Sequence, residues 1–201
     1  MDSLLPWIDR TTQSLEAAQE AYKPLPNDNR FKISFHRAGE GLYKVKATLE
    51  QIKSRIERES QGGDATSGRK SLRKCQDIAD KATRVFGHVA RASEEARLRE
   101  YYIYLAHQGP DQRVEILVKE MMKLVCDLIQ QLGIKECIKD DLEELEYQIG
   151  ELEEALAALS PKEEKGGTIF GSQYNAKDLA TQFNNTGTGA QNNGTTPKKP
   201  A

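Results

Sequence analysis

The chain has 201 residues, a hydrophobic fraction of 37%, a charged fraction of 30% and a formal net charge of −2, which fits one globular domain with an appendage. Charges at Asp2, Asp9 and Arg10 interrupt the apolar N-terminus, and no uncharged apolar run approaches about 18 residues, so we expect neither a signal peptide nor a transmembrane helix. These features predict a cytoplasmic protein.

Five helices are predicted between residues 1 and 160, each from apolar residues spaced three and four apart. We expect the third helix to continue to Leu105, and its interior Gly87 permits a bend. The predicted apolar seams, in chain order, are Ile8, Leu15, Ala18 and Tyr22; Phe31, Phe35, Ala38, Leu42, Val45, Leu49, Ile52 and Ile56; Leu72, Cys75, Ala79, Ala82, Phe86 and Val89; Val114, Leu117, Met121, Leu124 and Leu128; and Ile138, Leu142, Leu145, Ile149, Leu152, Leu156 and Leu159.

The connections between these helices indicate how the chain folds. Pro24 and Pro26 end the first helix, residues 60–70 form a connecting segment, and Pro110 opens the fourth helix. Because no stretch alternates with period two for long, the fold class is all-α, with about five helices in an antiparallel bundle. A coiled-coil oligomer is the structural alternative, but the Pro and Gly residues favour a chain folded back on itself.

No pattern typical of an enzyme is found in the chain. The stretch GGDATSGRKS resembles a phosphate-binding loop, but Arg69 stands where that motif has lysine, and a polar helix precedes it instead of a strand. His36, His88 and His107 belong to different helices or helix ends and lack metal-binding spacing. We therefore expect a protein without enzymatic activity, without a cofactor and without a bound metal.

Other residue groups have structural explanations with a functional alternative. The three cysteines Cys75, Cys126 and Cys137 fall inside helical patterns, so we expect reduced thiols in the core. Of Tyr101, Tyr102 and Tyr104, we expect some to be buried at a helix junction. The remainder would be available to a contact surface.

The first helix is a candidate for membrane contact. Its candidate contacts are Leu4, Leu5, Trp7 and Ile8, and the second helix is rich in lysine and arginine. Amphipathic helices of this kind lie in a bilayer surface once their apolar face is released. In the resting fold, we expect the same face to fill the core.

Charge is distributed unevenly along the chain. Residues 1–109 carry 19 Lys and Arg against 15 Asp and Glu, residues 110–165 carry 7 against 15, and the remainder carries 3 against 1. Such asymmetry permits a basic face that binds acidic lipid and an acidic helix pair elsewhere. A solvated helical surface is the favoured interpretation.

Residues 161–201 are predicted to be a separate, disordered tail, because residues 166–196 contain eight Asn or Gln, six Gly, six Thr and only two charges. Within it, the pattern Gln-x-Asn recurs every nine residues. Since a strand has period two, a nine-residue repeat requires turns between strands, and stacked copies would align equivalent positions as in cross-β fibrils. The predicted amyloid ladder comprises Gln173, Asn175, Gln182, Asn184, Gln191 and Asn193, and the predicted apolar contacts are Ile169, Phe170, Tyr174, Leu179 and Phe183.

Two segments resemble known fungal signalling modules. The tail, GGTIFGSQYN followed by QFNNTGTGAQNNG, resembles the sigma-type prion-forming motif of filamentous fungi. The part that begins LLPWIDRTTQSLEAAQEAY resembles the SesA-type helical domain of fungal NOD-like receptor systems. The resemblance implies that a receptor with a nucleotide-binding domain carries a similar motif, assembles on sensing a ligand and templates the amyloid fold onto a separate effector.

The motif at the C-terminus makes this chain resemble the effector in such a system. In related HET-S-like proteins, templating turns a helical domain into a membrane-damaging cell-death effector. The resemblance thus implies a signalling effector of fungal incompatibility or regulated cell death, with a NOD-like receptor as partner, self-association through the tail, a membrane surface as a candidate partner after activation, and no nucleic acid. The alternative is a helical adaptor or scaffold with a flexible C-terminal linker.

Overall fold

The computed structural model describes residues 4–59 and 65–158, and these form a bundle of six α-helices without a β-strand. The helices are α1 (Leu5–Tyr22), α2 (Ile33–Glu59), α3 (Ala65–Arg91), α4 (Arg97–Gln108), α5 (Val114–Leu132) and α6 (Lys139–Ala157). The all-α prediction is confirmed. The number of helices differs from five because the predicted third helix is two helices.

The predicted apolar seams form the core. Every member of the α1 seam is buried, and so are the predicted members in α3 from Leu72 to Val89. In the second seam only Ile56 is half-buried, and in the later seams Leu124, Ile149 and Leu156 are half-buried, while Leu159 lies outside the described residues. A spacing of three and four residues places side chains on one helix face, and burial of that face holds the bundle together.

Contacts between named residues give the helix directions. Asp9 pairs with Lys53 and Glu16 pairs with Lys46, so α1 and α2 are antiparallel. The hydroxyl of Thr11 donates a hydrogen bond of 3.2 Å to the carbonyl oxygen of Leu72. Later in α1, the ring centroid of Tyr22 lies 5.1 Å from that of Phe86, which is later in α3 than Leu72. Helices α1 and α3 are therefore parallel.

The sequence predicts one helix through the region of α3 and α4, with a bend permitted at Gly87. Instead, α3 continues to Arg91, and the chain turns at Ser93, whose ψ of 152° is not helical. A 3₁₀ turn follows, and α4 then lies against the aromatic end of the bundle, where the ring of Tyr101 is 5.2 Å from the ring of Phe35. The prediction of a helix continuing to Leu105 is therefore wrong, since tertiary packing of Tyr101 requires a change of direction.

The start of α3 also differs from the expectation. Residues 60–70 were assigned to a connecting segment, but the helix begins at Ala65. A Cβ atom at Gly68 would lie 3.1 Å from a methyl of Leu4 and 3.2 Å from a methyl of Leu128. The first turns of α3 are thus packed closely against α1 and α5, which stabilises a helix that its glycine disfavours.

Helices α5 and α6 complete the bundle. Eleven of the 19 residues of α5 are buried, since it packs against α2, α3 and α6. It ends at Gly133, whose φ of 68° lies in the left-handed region that glycine adopts readily. Helix α6 packs against α2 and α5 and buries only Leu142, Leu145 and Leu152.

Candidate functional site

The four candidate membrane contacts lie at the start of α1, and two of them belong to the core. Leu4 is 6% exposed and Ile8 is fully buried, whereas Leu5 and Trp7 are half-buried. Leu4 packs against Gly68 of α3. A membrane would therefore reach Leu4 and Ile8 only after α1 leaves the bundle, and that contact stays a prediction.

Trp7 has a polar neighbour on the surface of α1. The guanidinium carbon of Arg10 lies 5.4 Å from the centroid of the Trp7 ring, a cation–π distance. The exposed part of the first turn is therefore a mixed apolar and basic surface. The first turn of α1 therefore packs against the core on one side, and on the other side the Arg10 guanidinium covers the Trp7 ring.

The predicted amyloid ladder from Gln173 to Asn193 and the predicted apolar contacts from Ile169 to Phe183 lie outside the described residues. Their roles stay predictions. The boundary at residue 160 between bundle and tail also stays a prediction.

Helix α6 precedes the tail and is attached to the bundle by a few apolar side chains and by ion pairs. The ammonium of Lys44 is 3.0 Å from the carboxylate of Asp141, and the guanidinium of Arg37 is 2.6 Å from that of Glu151. A groove lined by acidic, basic and aromatic side chains, with Tyr147 64% exposed, separates α6 from α2. Partly exposed ion pairs contribute little free energy, so α6 is held mainly by its three buried leucines.

A buried polar network joins α2, α4 and α5 at the end where α4 packs. The carboxylate of Glu115, 4% exposed, accepts hydrogen bonds from the Tyr101 hydroxyl at 2.9 Å and from the Ser34 hydroxyl at 3.2 Å. The pKa of Tyr101 is held well above its ordinary value, mainly by burial and to a lesser extent by the negative charge of Glu115. Tyr101 is thus a neutral donor, and a satisfied buried carboxylate fixes α4 in place.

A second carboxylate lies at the same end, in the turn between α1 and α2. Asp28 accepts two hydrogen bonds of 2.7 Å from the guanidinium of Arg30, and Arg97 of α4 approaches it to 3.5 Å. Burial raises the pKa of Asp28, but the hydrogen bonds and charge of Arg30 outweigh burial, and the net pKa is below its ordinary value. Asp28 therefore stays ionised and ties the turn to α4.

The histidines have structural surroundings. His36 lies 3.2 Å from the Tyr22 hydroxyl and 3.0 Å from the carbonyl oxygen of Asp28. His88 lies 3.5 Å from the carboxylate of Glu100, and His107 is exposed near the end of α4. In the described ranges, no group of three or more His, Cys, Asp or Glu side chains could hold a metal ion.

The cysteines divide into two kinds. Cys75 and Cys126 are buried, and burial raises the pKa of Cys75 to about 12 and that of Cys126 to about 11, so both thiols are unreactive. Cys137 is exposed in the 3₁₀ turn before α6. The expectation of a core thiol is wrong for Cys137, because this turn interrupts the predicted helical pattern.

Sequence reasoning missed Glu115, Asp28 and their partners. Ser34 and Glu115 are 81 residues apart, so their pairing depends on the tertiary arrangement of α2 and α5. Tyr101 belonged to the aromatic cluster predicted at a helix junction, and it lies there with 3% exposure. The available signal in the sequence was the position of Glu115, directly after Val114 of the predicted apolar seam.

The described part of the chain is therefore a purely helical domain whose buried polar groups fix the packing of its helices. Its sequence matches the family model of SesA, described as an N-terminal domain on NACHT and P-loop NTPases, over residues 8–128. Since this match covers about 60% of the 201 residues, the chain belongs to the SesA family. No curated protein and no solved structure matches, and none of the described helices has the length and apolarity needed to cross a membrane.

Proposed function

We propose that this chain is a non-enzymatic signalling effector of fungal incompatibility or regulated cell death. Amyloid templating of its C-terminal motif by a NOD-like receptor activates it in the cytoplasm. The observation that carries the proposal is the order of two segments: a SesA domain over residues 8–128, followed by a tail with a nine-residue Gln-x-Asn repeat.

The family description supports the kind of partner. SesA domains occur as N-terminal domains on NACHT and P-loop NTPases, and NACHT modules are the nucleotide-binding modules of NOD-like receptors. A receptor that carries a motif similar to this tail would nucleate the stack onto which the tail adds. Membership of the family supports a place in such a system.

The composition of the tail supports templating. Between Gly166 and Thr196 the only charged residues are Lys177 and Asp178, so little repulsion opposes stacking of identical chains. Residues at equivalent positions of the repeat, such as Tyr174 and Phe183, would align between copies. The repeat gives each added chain a defined register.

The weak attachment of α6 supports a mechanism by which assembly of the tail would affect the bundle. Helix α6 ends at Ala157, directly before the tail, and lies outside the residues matched by the family model. Its hold on the bundle consists of three buried leucines and partly exposed ion pairs. Crowding of bundles around a growing fibre would therefore strain α6 first and expose the apolar surfaces of α2 and α5 beneath it.

Seeding tests the proposal directly. Fibres grown from a peptide of residues 160–201 are added to the full chain, and thioflavin-T fluorescence is followed. We expect the seeds to shorten the lag several-fold, since templated addition bypasses nucleation. The control is a full chain whose tail is scrambled at constant composition, with the bundle unchanged.

The adaptor alternative makes the opposite prediction. If the tail is only a flexible linker, native and scrambled tails behave alike, and seeds have no effect on either. Equal responses of the two chains would therefore reject the effector proposal and direct the search for function to the bundle surface.

A further inference from the structure

The outer face at the start of α3 is strongly basic. Residues 65–76 contain four cations and no anion. Three of these cations, Lys70, Arg73 and Lys74, are exposed and form no ion pair with the residues that the structure describes. Their spacing of three and four residues places them on one side of the helix. We call these three residues the basic face.

Helix stability does not explain the basic face. Backbone dipoles make the start of a helix electropositive, so acids are preferred in the first turn and the dipole gives no support to cations in the turns that follow. Helix α3 has no acid in its first turn. Departures from local preference of this kind are expected where a surface serves binding.

A complementary face lies on α6. Glu143, Glu146 and Glu154 are exposed around Tyr147, which is 64% exposed. Glu146 and Glu154 form no ion pair with the described residues, and Glu143 has only a 3.6 Å pair with Lys139 in which both side chains are more than 60% exposed. We call Glu143, Glu146, Tyr147 and Glu154 the acidic face.

The two faces lie on helices with different neighbours. Helix α3 packs against α1, α4 and α5, whereas α6 packs against α2 and α5. The residues that define each face carry one sign of charge, with the exposed Asp77 one turn after the basic face and Lys139 one turn before the acidic face, so neither face complements itself. A contact between them joins two copies, and in a heterologous arrangement it can repeat from copy to copy.

We propose that the basic face of one copy binds the acidic face of a second copy of this chain. Lysine ammonium and arginine guanidinium groups would pair with glutamate carboxylates, and the Tyr147 ring would lie against the aliphatic stems of the cations. The inference goes beyond the proposed function and does not depend on it, because both faces belong to the folded bundle.

The contact is weak for free chains and strengthened by tethering. Exposed ion pairs contribute little each and are screened by salt. Chains held together by their tails would have effective concentrations in the millimolar range, at which a weak contact is populated. The contact would then order neighbouring bundles along an assembly.

Zero-length carbodiimide cross-linking detects such a contact in the full chain. A freshly prepared equal mixture of ¹⁴N- and ¹⁵N-labelled protein is cross-linked at low salt, and mixed-isotope peptides are identified by mass spectrometry. We expect cross-links between Lys70 or Lys74 of one copy and the glutamates of the acidic face of another. Raising the salt should reduce their yield, since a Debye length of about 30 Å at 0.01 M falls to about 3 Å at 1 M.

Charge reversal tests both faces. Lys70→Glu, Arg73→Glu and Lys74→Glu form one variant, and Glu143→Lys, Glu146→Lys and Glu154→Lys form the other. Neither variant alone can form the wild-type α3–α6 cross-links, because each lacks the amines or the carboxylates that react, and like charges would face each other in either. The mixture of the two variants is therefore the decisive sample. Mixing the two variants should restore the cross-links, now between α3 of the first and α6 of the second. Circular dichroism and thermal melting establish that both variants fold.

A matched control separates specific pairing from general attraction between oppositely charged proteins. The control variant reverses three exposed cations outside α3, with Lys23→Glu, Lys32→Glu and Arg99→Glu, and has the same net charge as the first variant. Alone, it should retain the wild-type cross-links. Mixed with the acidic-face variant, it should fail to give the cross-links that the first variant gives.

Three outcomes would overturn the proposal. One is the lack of α3–α6 cross-links between wild-type copies, and another is equal restoration by the control. The third is that the basic-face variant loses binding to vesicles of anionic lipid while its mixture with the acidic-face variant gives no cross-links between copies, which would assign the basic face to a membrane. Failure of the tail to form seeded fibres would leave the cross-links of the soluble chain unaffected, so the two proposals fail separately.

Discussion

At the residue scale, the pairing of Tyr22 with Gly39 joins α1 to α2. A Cβ atom at Gly39 would meet three carbons of the Tyr22 ring, because this glycine gives the ring room against the helix backbone. The Tyr22 hydroxyl also lies 3.2 Å from Nδ1 of His36. Displacing the ring would therefore disturb both packing and a hydrogen bond.

We predict that Gly39→Ala lowers the free energy of unfolding by about 1–3 kcal/mol, the usual effect of overpacking, although alanine favours a helix over glycine by about 1 kcal/mol. Gly150→Ala in α6 is the matched control. Since nothing lies within 4 Å of its added Cβ, only the helix preference acts, and stability should rise by up to about 1 kcal/mol. Urea unfolding of both variants measures the difference, and equal effects would contradict the packing argument.

Asp28 makes stability depend on pH. Its folded pKa is below the ordinary value of 3.8, so the carboxylate contributes stability that is present above about pH 4 and is lost as pH falls through the folded pKa. Asp28→Asn should therefore destabilise the bundle at pH 7, by about 1–3 kcal/mol for hydrogen bonds to a charged group. The difference from wild type should shrink in acid.

Thermal melting of both chains between pH 7 and pH 2 checks this prediction. Glu20→Gln serves as the control, because the ion pair between Glu20 and Lys23 is about 70% exposed on both sides and should matter little at any pH. A stability difference for Asp28→Asn that stays constant down to pH 2 would show that the effect is steric and not electrostatic.

At the element scale, the sequence predicts which residues of each helix are buried better than it predicts where each helix begins and ends. Burial of Leu42, Leu49 and Ile52 follows from spacing alone, since one apolar face per helix is a local property. The break at Ser93 and the start at Ala65 depend on packing of Tyr101 and Gly68 against distant residues. Local preference at Gly87 permitted a bend that tertiary contacts place six residues later.

The same distinction applies to the candidate site. The tail repeat is visible in the sequence because its signal is periodic and local. The network of Glu115 with Ser34 and Tyr101 is not, because it joins three helices that only the fold brings together.

Helix α6 should open more readily than its neighbour. Three of its 19 residues are buried, against eleven of 19 in α5, and local opening follows the amount of buried apolar contact. We predict faster amide hydrogen exchange in residues 142–156 than in residues 117–129. Mass-spectrometric exchange of the soluble full chain measures this, and equally slow exchange in both segments would contradict α6 as the weakly held helix.

At the scale of the whole molecule, the family match ends before the last helix of the bundle. The matched residues end at 128 within α5, and α6 follows as a helix that adds only three leucines to the core. An assembly signal from the tail would reach the SesA domain through α6. The domain core, which contains both α1 and α3, would be disturbed last.

Interruption of the repeat should uncouple assembly from folding. Phe183→Pro in the full chain removes a backbone donor and fixes a backbone angle at a predicted apolar contact of the stack. We predict that seeded fibre growth slows by about tenfold or more, judged from the exclusion of proline from central strands, while the melting temperature of the bundle is unchanged. Lys198→Pro, beyond the last repeat, is the matched control and should be seeded like wild type. Thioflavin-T growth curves and circular dichroism of the same samples give both readouts. If Phe183→Pro is seeded as fast as Lys198→Pro, the nine-residue register has no role in assembly.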